Sequence, residues 1–132
     1  MKILIFSVCF SVLVFTGCSH STSPSSREIL LDSTVDGKNL HYSMDQNFLL
    51  QLDVYSSAGY NWDCSINDSN IVVIESIIIK PKSEPSVPGG LSVASFHFRT
   101  MSTGSTQIKL IEHQRWLEDA PINTIKFNVT VF

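Results

Sequence analysis

The fold is decided by residues 53–64, which read DVYSSAGYNWDC. Apolar side chains take every second position on both sides of the small residues: Phe48, Leu50, Leu52 and Val54 before them, and Tyr60, Trp62, Cys64 and Ile66 after them. This period is typical of half-buried strands. The joining run at 56–59, Ser-Ser-Ala-Gly, differs from the Asn-Gly or Asp-Gly pairs of two-residue hairpins. The stretch therefore predicts two strands joined by a loop of small side chains, which is either an ordinary turn or a segment thin enough to enter a narrow cleft.

Further strands with one apolar face follow along the chain. Apolar residues alternate at 94–98, 106–110 and 125–131, β-branched residues fill 71–80, and residues 27–32 and 39–44 are two more candidates. Because each strand has one apolar face, two sheets must cover each other. Seven to eight strands in residues 27–132 therefore predict an all-β, immunoglobulin-like antiparallel β-sandwich. Its predicted core contains Trp62, Cys64, Phe96, Phe98, Ile108, Phe127 and Val129.

The first seventeen residues have the pattern of a targeting signal. Lys2 precedes an apolar run at 3–15 that is too short for a permanent membrane span and has the length of a signal-peptide core. The run closes on Phe-Thr-Gly-Cys at 15–18, which resembles the lipobox of bacterial lipoproteins. We expect a signal peptide at 1–17, lipid on Cys18 and a flexible Ser-, Thr- and Pro-containing tether at 18–26, with plain secretion as the alternative. Ser19 favours the outer membrane, facing the periplasm or the exterior.

Composition argues against several classes of function. The net charge is −3 and no basic cluster is present, so nucleic acid is not an expected partner. Cys9 leaves with the signal and Cys18 is the expected lipid site, so Cys64 has no disulfide partner and packs as a small hydrophobe. The histidines lack metal-ligand spacing, and no Ser/His/Asp, paired-carboxylate or phosphate-binding motif is found. We therefore expect a protein that is not an enzyme and that needs no cofactor or metal.

Three connections between the predicted strands gather at one end of such a sandwich. We name them the first loop (residues 55–60), the second loop (80–91) and the third loop (112–123). Loops held by a rigid scaffold often form binding surfaces. The predicted topology therefore places any binding site of this chain at the three-loop end.

Motifs in these loops carry a family resemblance. Residues 55–62 read Tyr-Ser-Ser-Ala-Gly-Tyr-Asn-Trp, Pro-Gly-Gly at 88–90 leads to Phe-His-Phe at 96–98, a Gly precedes the strand at 104–110, and Arg-Trp-Leu-Glu stands at 115–118. In order and spacing, from about residue 29 to 132, they resemble chagasin-type inhibitors of papain-family cysteine proteases, whose first motif is Asn-Pro-Thr-Thr-Gly-Tyr-x-Trp and whose third is Arg-Pro-Trp-Glu. The chain departs from that pattern at Tyr55, Ser56 and Ala58, and no Pro separates Arg115 from Trp116.

The resemblance implies reversible, competitive inhibition of such a protease by a monomer. The first loop would enter the V-shaped catalytic cleft as a wedge, while the second and third loops grip its walls. The protease-binding residues that it implies are Ser56, Ser57, Ala58, Gly59 and Tyr60 in the first loop, Pro88, Gly89, Gly90 and Leu91 in the second, and Arg115 and Trp116 in the third. Gly59 is expected to take a positive φ or to allow close approach of the backbone.

A second class of function stays open at this point. A lipid-anchored, immunoglobulin-like adhesion or envelope-structural module would use the same fold and anchor without a protease target. An exposed Trp116 beside a wedge of small residues favours the inhibitor. A buried Trp116, with the first loop folded back on the sheet, favours the module.

Overall fold

A computed structural model describes residues 27–83, 88–117 and 119–132. The predicted signal peptide, the tether at 18–26 and the lipid site at Cys18 lie outside these residues. Within the described ranges, no helix has both the length and the apolar character needed to cross a membrane.

Eight strands form two four-stranded sheets, which confirms the all-β sandwich. The strands are β1 (Ile29–Leu31), β2 (Asn39–Tyr42), β3 (Asn47–Val54), β4 (Tyr60–Ile66), β5 (Val72–Pro81), β6 (Ser92–Thr100), β7 (Gly104–Gln114) and β8 (Asn123–Val131). One sheet has the order β1-β3-β6-β5 and the other β2-β8-β7-β4. The helical elements of the described chain are single 3-10 turns, at Ser33–Val35 and Ser56–Ala58.

The sandwich is not antiparallel throughout, and this corrects the sequence-based expectation. β1 pairs with β3, and β2 with β8, in parallel, whereas the remaining neighbours are antiparallel. The chain passes from one sheet to the other through the Ser33–Val35 turn, where Val35 is buried. Each short N-terminal strand can therefore join a different sheet edge. Alternation of apolar residues predicts which face a strand buries, but it does not give the direction of its neighbour.

The core lies between the inner faces of the two sheets, where the aromatic side chains meet. The rings of Tyr42 and Phe48 stack with centroids 4.7 Å apart, and those of Phe48 and Phe98 at 4.9 Å. All the predicted core residues are buried except Cys64, which is half-buried and packs against the margin of the core. It lies on β4, an edge strand, so one flank of the residue has no strand to cover it.

Strand directions bring the three loops together, as predicted. β3, β5 and β7 all end at one end of the sandwich, and the three loops follow them. The second and third loops are shorter than expected, since β5 continues to Pro81, opposite Ser92, and β7 continues to Gln114. A proline is tolerated at the end of β5 because this edge strand needs no N–H on its outer side.

Candidate functional site

The first loop is a closed turn with a left-handed glycine. Residues 56–58 form the 3-10 turn, and Gly59 follows with φ 83° and ψ 8°. The Tyr60 N–H donates to the Tyr55 carbonyl at 3.2 Å and the Gly59 N–H to the Ser56 carbonyl at 3.1 Å. This is the paired hydrogen bonding of a Schellman motif, which favours glycine at the left-handed position. The positive φ expected for Gly59 is confirmed.

The tip of this loop carries only small side chains and faces solvent. Ser57 and Ala58 are exposed, while Ser56, Gly59 and Tyr60 are partly covered. At the base, the Trp62 indole N–H donates to the Asp53 carbonyl at 3.0 Å and so ties β3 to β4. The loop is therefore a narrow projection on a fixed base.

The third loop is bound to the first through its opening turn. The Leu117 N–H donates to the Gln114 carbonyl at 2.9 Å, which closes a turn with Arg115 and Trp116 at its two central positions. The Arg115 N–H donates to the Gly59 carbonyl at 3.0 Å. This bond extends the β4–β7 ladder by one step, so the two loops form one surface.

Trp116 lies against Gly59 and is also open to solvent. A Cβ atom placed on Gly59 would collide with Cζ3 and Cη2 of the indole. Its distance from Cη2 would be 2.6 Å. The same Trp116 side chain is 66% exposed. One edge of the indole is thus fixed by the glycine, while most of the ring is free for a partner. Of the two arrangements distinguished above, this is the one that favours the inhibitor.

The second loop flanks the first loop on its other side. The Ser56 and Ser92 hydroxyls lie 3.1 Å apart, and the Lys82 ammonium donates to the Asp53 carboxylate at 2.8 Å. Pro88 and Gly89 are exposed, and Gly90 and Leu91 are half-buried. An open cleft of about 310 Å³ separates the two loops; its walls are Ser56, Ser57, Pro81, Ser83, Pro88, Gly90, Leu91 and Ser92. The first loop therefore has supports on both sides.

Sequence reasoning missed three apolar residues at this end. Tyr55, Leu117 and Ile122 are each about half exposed, close along the chain to the first- and third-loop residues already named. Exposed apolar residues are common in interaction surfaces when they form a contiguous patch. The available signal was the presence of large apolar residues in loops that are otherwise polar.

Two further observations concern metal-binding groups and the free cysteine. In the part of the chain that the structure describes, no three His, Cys, Asp or Glu residues are grouped to hold a metal ion. Burial raises the pKa of the Cys64 thiol from its ordinary 9.0 to about 12. Cys64 is therefore a protonated thiol at neutral pH, and a reactive cysteine would need a lowered pKa.

Comparison with protein families identifies the group to which these loops belong. The description "Chagasin family peptidase inhibitor I42" attaches to a family model that matches residues 42–131, a range that includes all three loops. The chain belongs to the chagasin family of peptidase inhibitors. This is a family of inhibitors and not of enzymes, and no finding favours the adhesion or envelope module.

Solved structures share the fold with this chagasin-family chain. The crystal structure of the cysteine protease inhibitor EhICP2 from Entamoeba histolytica is 24% identical, with a TM-score of 0.70 over 79% of this chain and 95% of that one. The solution structure of Amebosin is 17% identical, with a TM-score of 0.63 over 80% and 98%. PbICP-C, solved in complex with falcipain-2, is 16% identical, with a TM-score of 0.53 over 82% and 93%. No curated protein sequence matches the chain.

Proposed function

We propose that this protein inhibits papain-family cysteine proteases reversibly and competitively, with the first loop inserted into the catalytic cleft. The observation that carries the proposal is the exposed Trp116, held on Gly59 beside the small side chains of the loop tip. Family membership and the similar fold of EhICP2, itself a cysteine protease inhibitor, support the class of target.

The first loop suits a wedge because it is narrow and already closed. Ser57 and Ala58 at the tip add little width, so the backbone could approach the floor of a cleft. The carbonyls of Tyr55 and Ser56 are occupied by hydrogen bonds within the turn. The peptide bonds of the tip are therefore held in a bent form and not as an extended substrate, which favours blocking of the cleft over cleavage.

The flanking loops would supply the rest of the contact. Trp116 and Arg115 belong to the residue types that most often dominate interface energies. Gly89, Gly90 and Leu91, on the other side of the first loop, would lie along the opposite wall. We expect a contact of standard size, about 800 Å² per partner. Little ordering entropy should be lost, since hydrogen bonds already fix the first and third loops where the family motif has prolines.

The proposal extends to the location of the inhibitor. Residues 1–17 would direct export, and lipid on Cys18 would anchor the domain in a bacterial cell envelope through the tether at 18–26. The support is the apolar run that ends in Thr-Gly-Cys at 16–18. A Cys18→Ser variant should lack the lipid, keep an unprocessed signal and differ from the wild type in its membrane fraction; unchanged fractionation and processing would contradict the anchor.

Inhibition assays of residues 27–132 against papain and a cathepsin test the function. We expect an inhibition constant below micromolar, and an apparent inhibition constant that rises linearly with substrate concentration as competition requires. A domain that melts cooperatively and yet slows no papain-family protease at micromolar concentration would refute the proposal.

A further inference from the structure

His113, near the end of β7, is buried and lies between two hydrogen-bond acceptors. It is 6% exposed, although alternation along β7 places it on the outer face of the sheet. Its Nε2 lies 2.6 Å from Asp63 Oδ2 on β4, and its Nδ1 lies 3.1 Å from the Gln114 carbonyl oxygen. No motif pointed to this residue, and the inhibitor mechanism above does not use it.

Both contacts can be made only by the charged form of the ring. A neutral imidazole has one N–H and one acceptor nitrogen, whereas the imidazolium has two N–H donors. A carboxylate and a carbonyl oxygen both accept. If His113 is neutral, one ring nitrogen must face an acceptor without a proton between them, and that contact becomes repulsive.

The Gln114 carbonyl connects this ring to the binding surface. It also accepts the Leu117 N–H, the bond that closes the turn carrying Arg115 and Trp116. With the imidazolium donating as well, both lone pairs of this oxygen are used. The charge on His113 is thus one residue away from the turn that places Trp116 on Gly59.

Within residues 27–83, 88–117 and 119–132, the charged groups near His113 come from β4, β7, β8 and the third loop. On the same outer face, β4 contributes Asp63, which also accepts the Asn61 amide at 3.2 Å. Lys109 on β7 and Lys126 on β8 are paired two steps further along the sheet. Glu112 points to the opposite face, where it accepts the Asn123 amide. Beyond the end of β7, the described part of the third loop adds the charged residues Arg115 and Asp119.

We propose that His113 is a positioning residue that makes protease binding pH-dependent. As an imidazolium between Asp63 and the Gln114 carbonyl, it holds the third-loop turn in the shape that presents Trp116. Histidine changes its charge between about pH 5 and 8, so this support is present in acid and is lost as the pH rises. The consequence for affinity rests on the proposed function, whereas the coupling of His113 to the turn does not.

The first test compares affinities across pH. The dissociation constant of the full domain for papain is measured from pH 5 to 8 for the wild type, His113→Gln and Asp63→Asn. Ratios taken at each pH cancel the titration of the protease. The wild type should bind about tenfold more tightly than either variant at pH 5, the equivalent of ~1.4 kcal/mol, and this ratio should shrink toward one as the pH rises and the ring loses its charge. Asp63 is exposed, so its variant remains informative if His113→Gln fails to fold.

His97 offers a matched control. It also pairs with a carboxylate, Glu28, at 2.9 Å, but on the outer face of the other sheet. His97→Gln should keep the wild-type pH profile. Wild-type-to-variant ratios that stay flat with pH for both His113→Gln and Asp63→Asn would overturn the proposal.

A second test needs no protease. In the free domain, NMR titration should show the Leu117 amide and the Trp116 indole following the His113 ring, and Asp63→Asn should reduce the response of Leu117. If the chemical shift of the Leu117 amide does not change as His113 titrates, the coupling is refuted. If the coupling is seen but no protease is inhibited, the proposed function fails and the positioning role of His113 stands.

Discussion

Two glycines at opposite ends of the sandwich have the same local geometry but contact different kinds of side chain. Gly59 and Gly104 both have positive φ, 83° and 139°, and each has a large hydrophobic side chain where its Cβ would be. At Gly104 the neighbour is Ile71, which is 8% exposed and belongs to the core. At Gly59 it is Trp116, which is mostly exposed.

The first contact completes the hydrophobic core, whereas the second orders a side chain on the binding surface. Ile71 is removed from water when it packs on Gly104, so that contact contributes to folding. Trp116 leaves most of its apolar area in water and would bury it only against a partner. The same local geometry thus stabilises the fold at one end and pre-orders a binding surface at the other.

Gly104→Val should give the largest effect and affect stability alone. The new side chain combines backbone strain with a collision with Ile71, whose Cδ1 lies 2.8 Å from the added Cβ position. We expect the free energy of unfolding to fall by about 3 kcal/mol, measured by urea denaturation. Molecules that remain folded should inhibit as the wild type does. A loss of affinity in the folded fraction would break the contrast between the two ends.

Gly59→Val should mainly weaken binding. Valine would displace the Trp116 ring and widen the wedge, and we expect the dissociation constant to rise about a hundredfold. Gly37→Val is the matched control, because Gly37 has φ 73° but nothing within 4 Å of its Cβ position. The control shows the cost of strain without a collision. Equal effects of the two variants on binding would refute the role of the Gly59–Trp116 contact.

Trp116→Ala should cost binding and spare the fold. Loss of the ring should cost ~2 kcal/mol of binding energy, about a thirtyfold rise in dissociation constant. The melting temperature should hardly change, since the ring is mostly exposed already. Phe132, 69% exposed at the opposite end, provides the control, and Phe132→Ala should leave affinity unchanged. A Trp116→Ala domain with full affinity would refute the three-loop mechanism while sparing the function.

The smallest effect belongs to the half-buried thiol of Cys64. Its pKa is raised from 9.0 to about 12, so the folded state holds the proton more tightly than the unfolded state does. The stability that this contributes is complete below pH 9 and declines as the pH rises toward 12. The melting temperature should therefore fall more steeply from pH 9 to 10.5 in the wild type than in Cys64→Ala. Parallel curves would show that the thiol is well solvated.

Sequence alone predicted the sandwich and its core because buried and exposed positions alternate along a strand, and apolar and polar residues alternate with them. Phe96, Phe98 and Phe127 alternate with polar residues, and each is fully buried. Cys64 shows what this alternation cannot predict. Its position on the apolar face was correct, but whether its strand lay at a sheet edge depends on pairing that the pattern does not encode.

The placement of the candidate site residues could be predicted in outline from the same kind of pattern. Loop composition and motif order located Gly59 and Trp116, and the left-handed glycine could be expected from its residue type. The contact between them, and the bonds from Arg115 and His113, join residues fifty or more positions apart across the β4–β7 ladder. These depend on register, which one sequence leaves open.

Strand directions place both termini of the domain at the end of the sandwich opposite the three loops. Ile29 pairs with Phe48 near the start of β3, about 20 Å from the first loop at ~3.3 Å per residue. Phe132 follows Val131, which pairs with Gly104 at the far end of β7 from the third loop. A chain that enters at residue 27, or is joined after residue 132, therefore approaches from behind the binding surface. An anchor, a tag or a sensor chip attached at either place would therefore leave the three loops accessible to a partner.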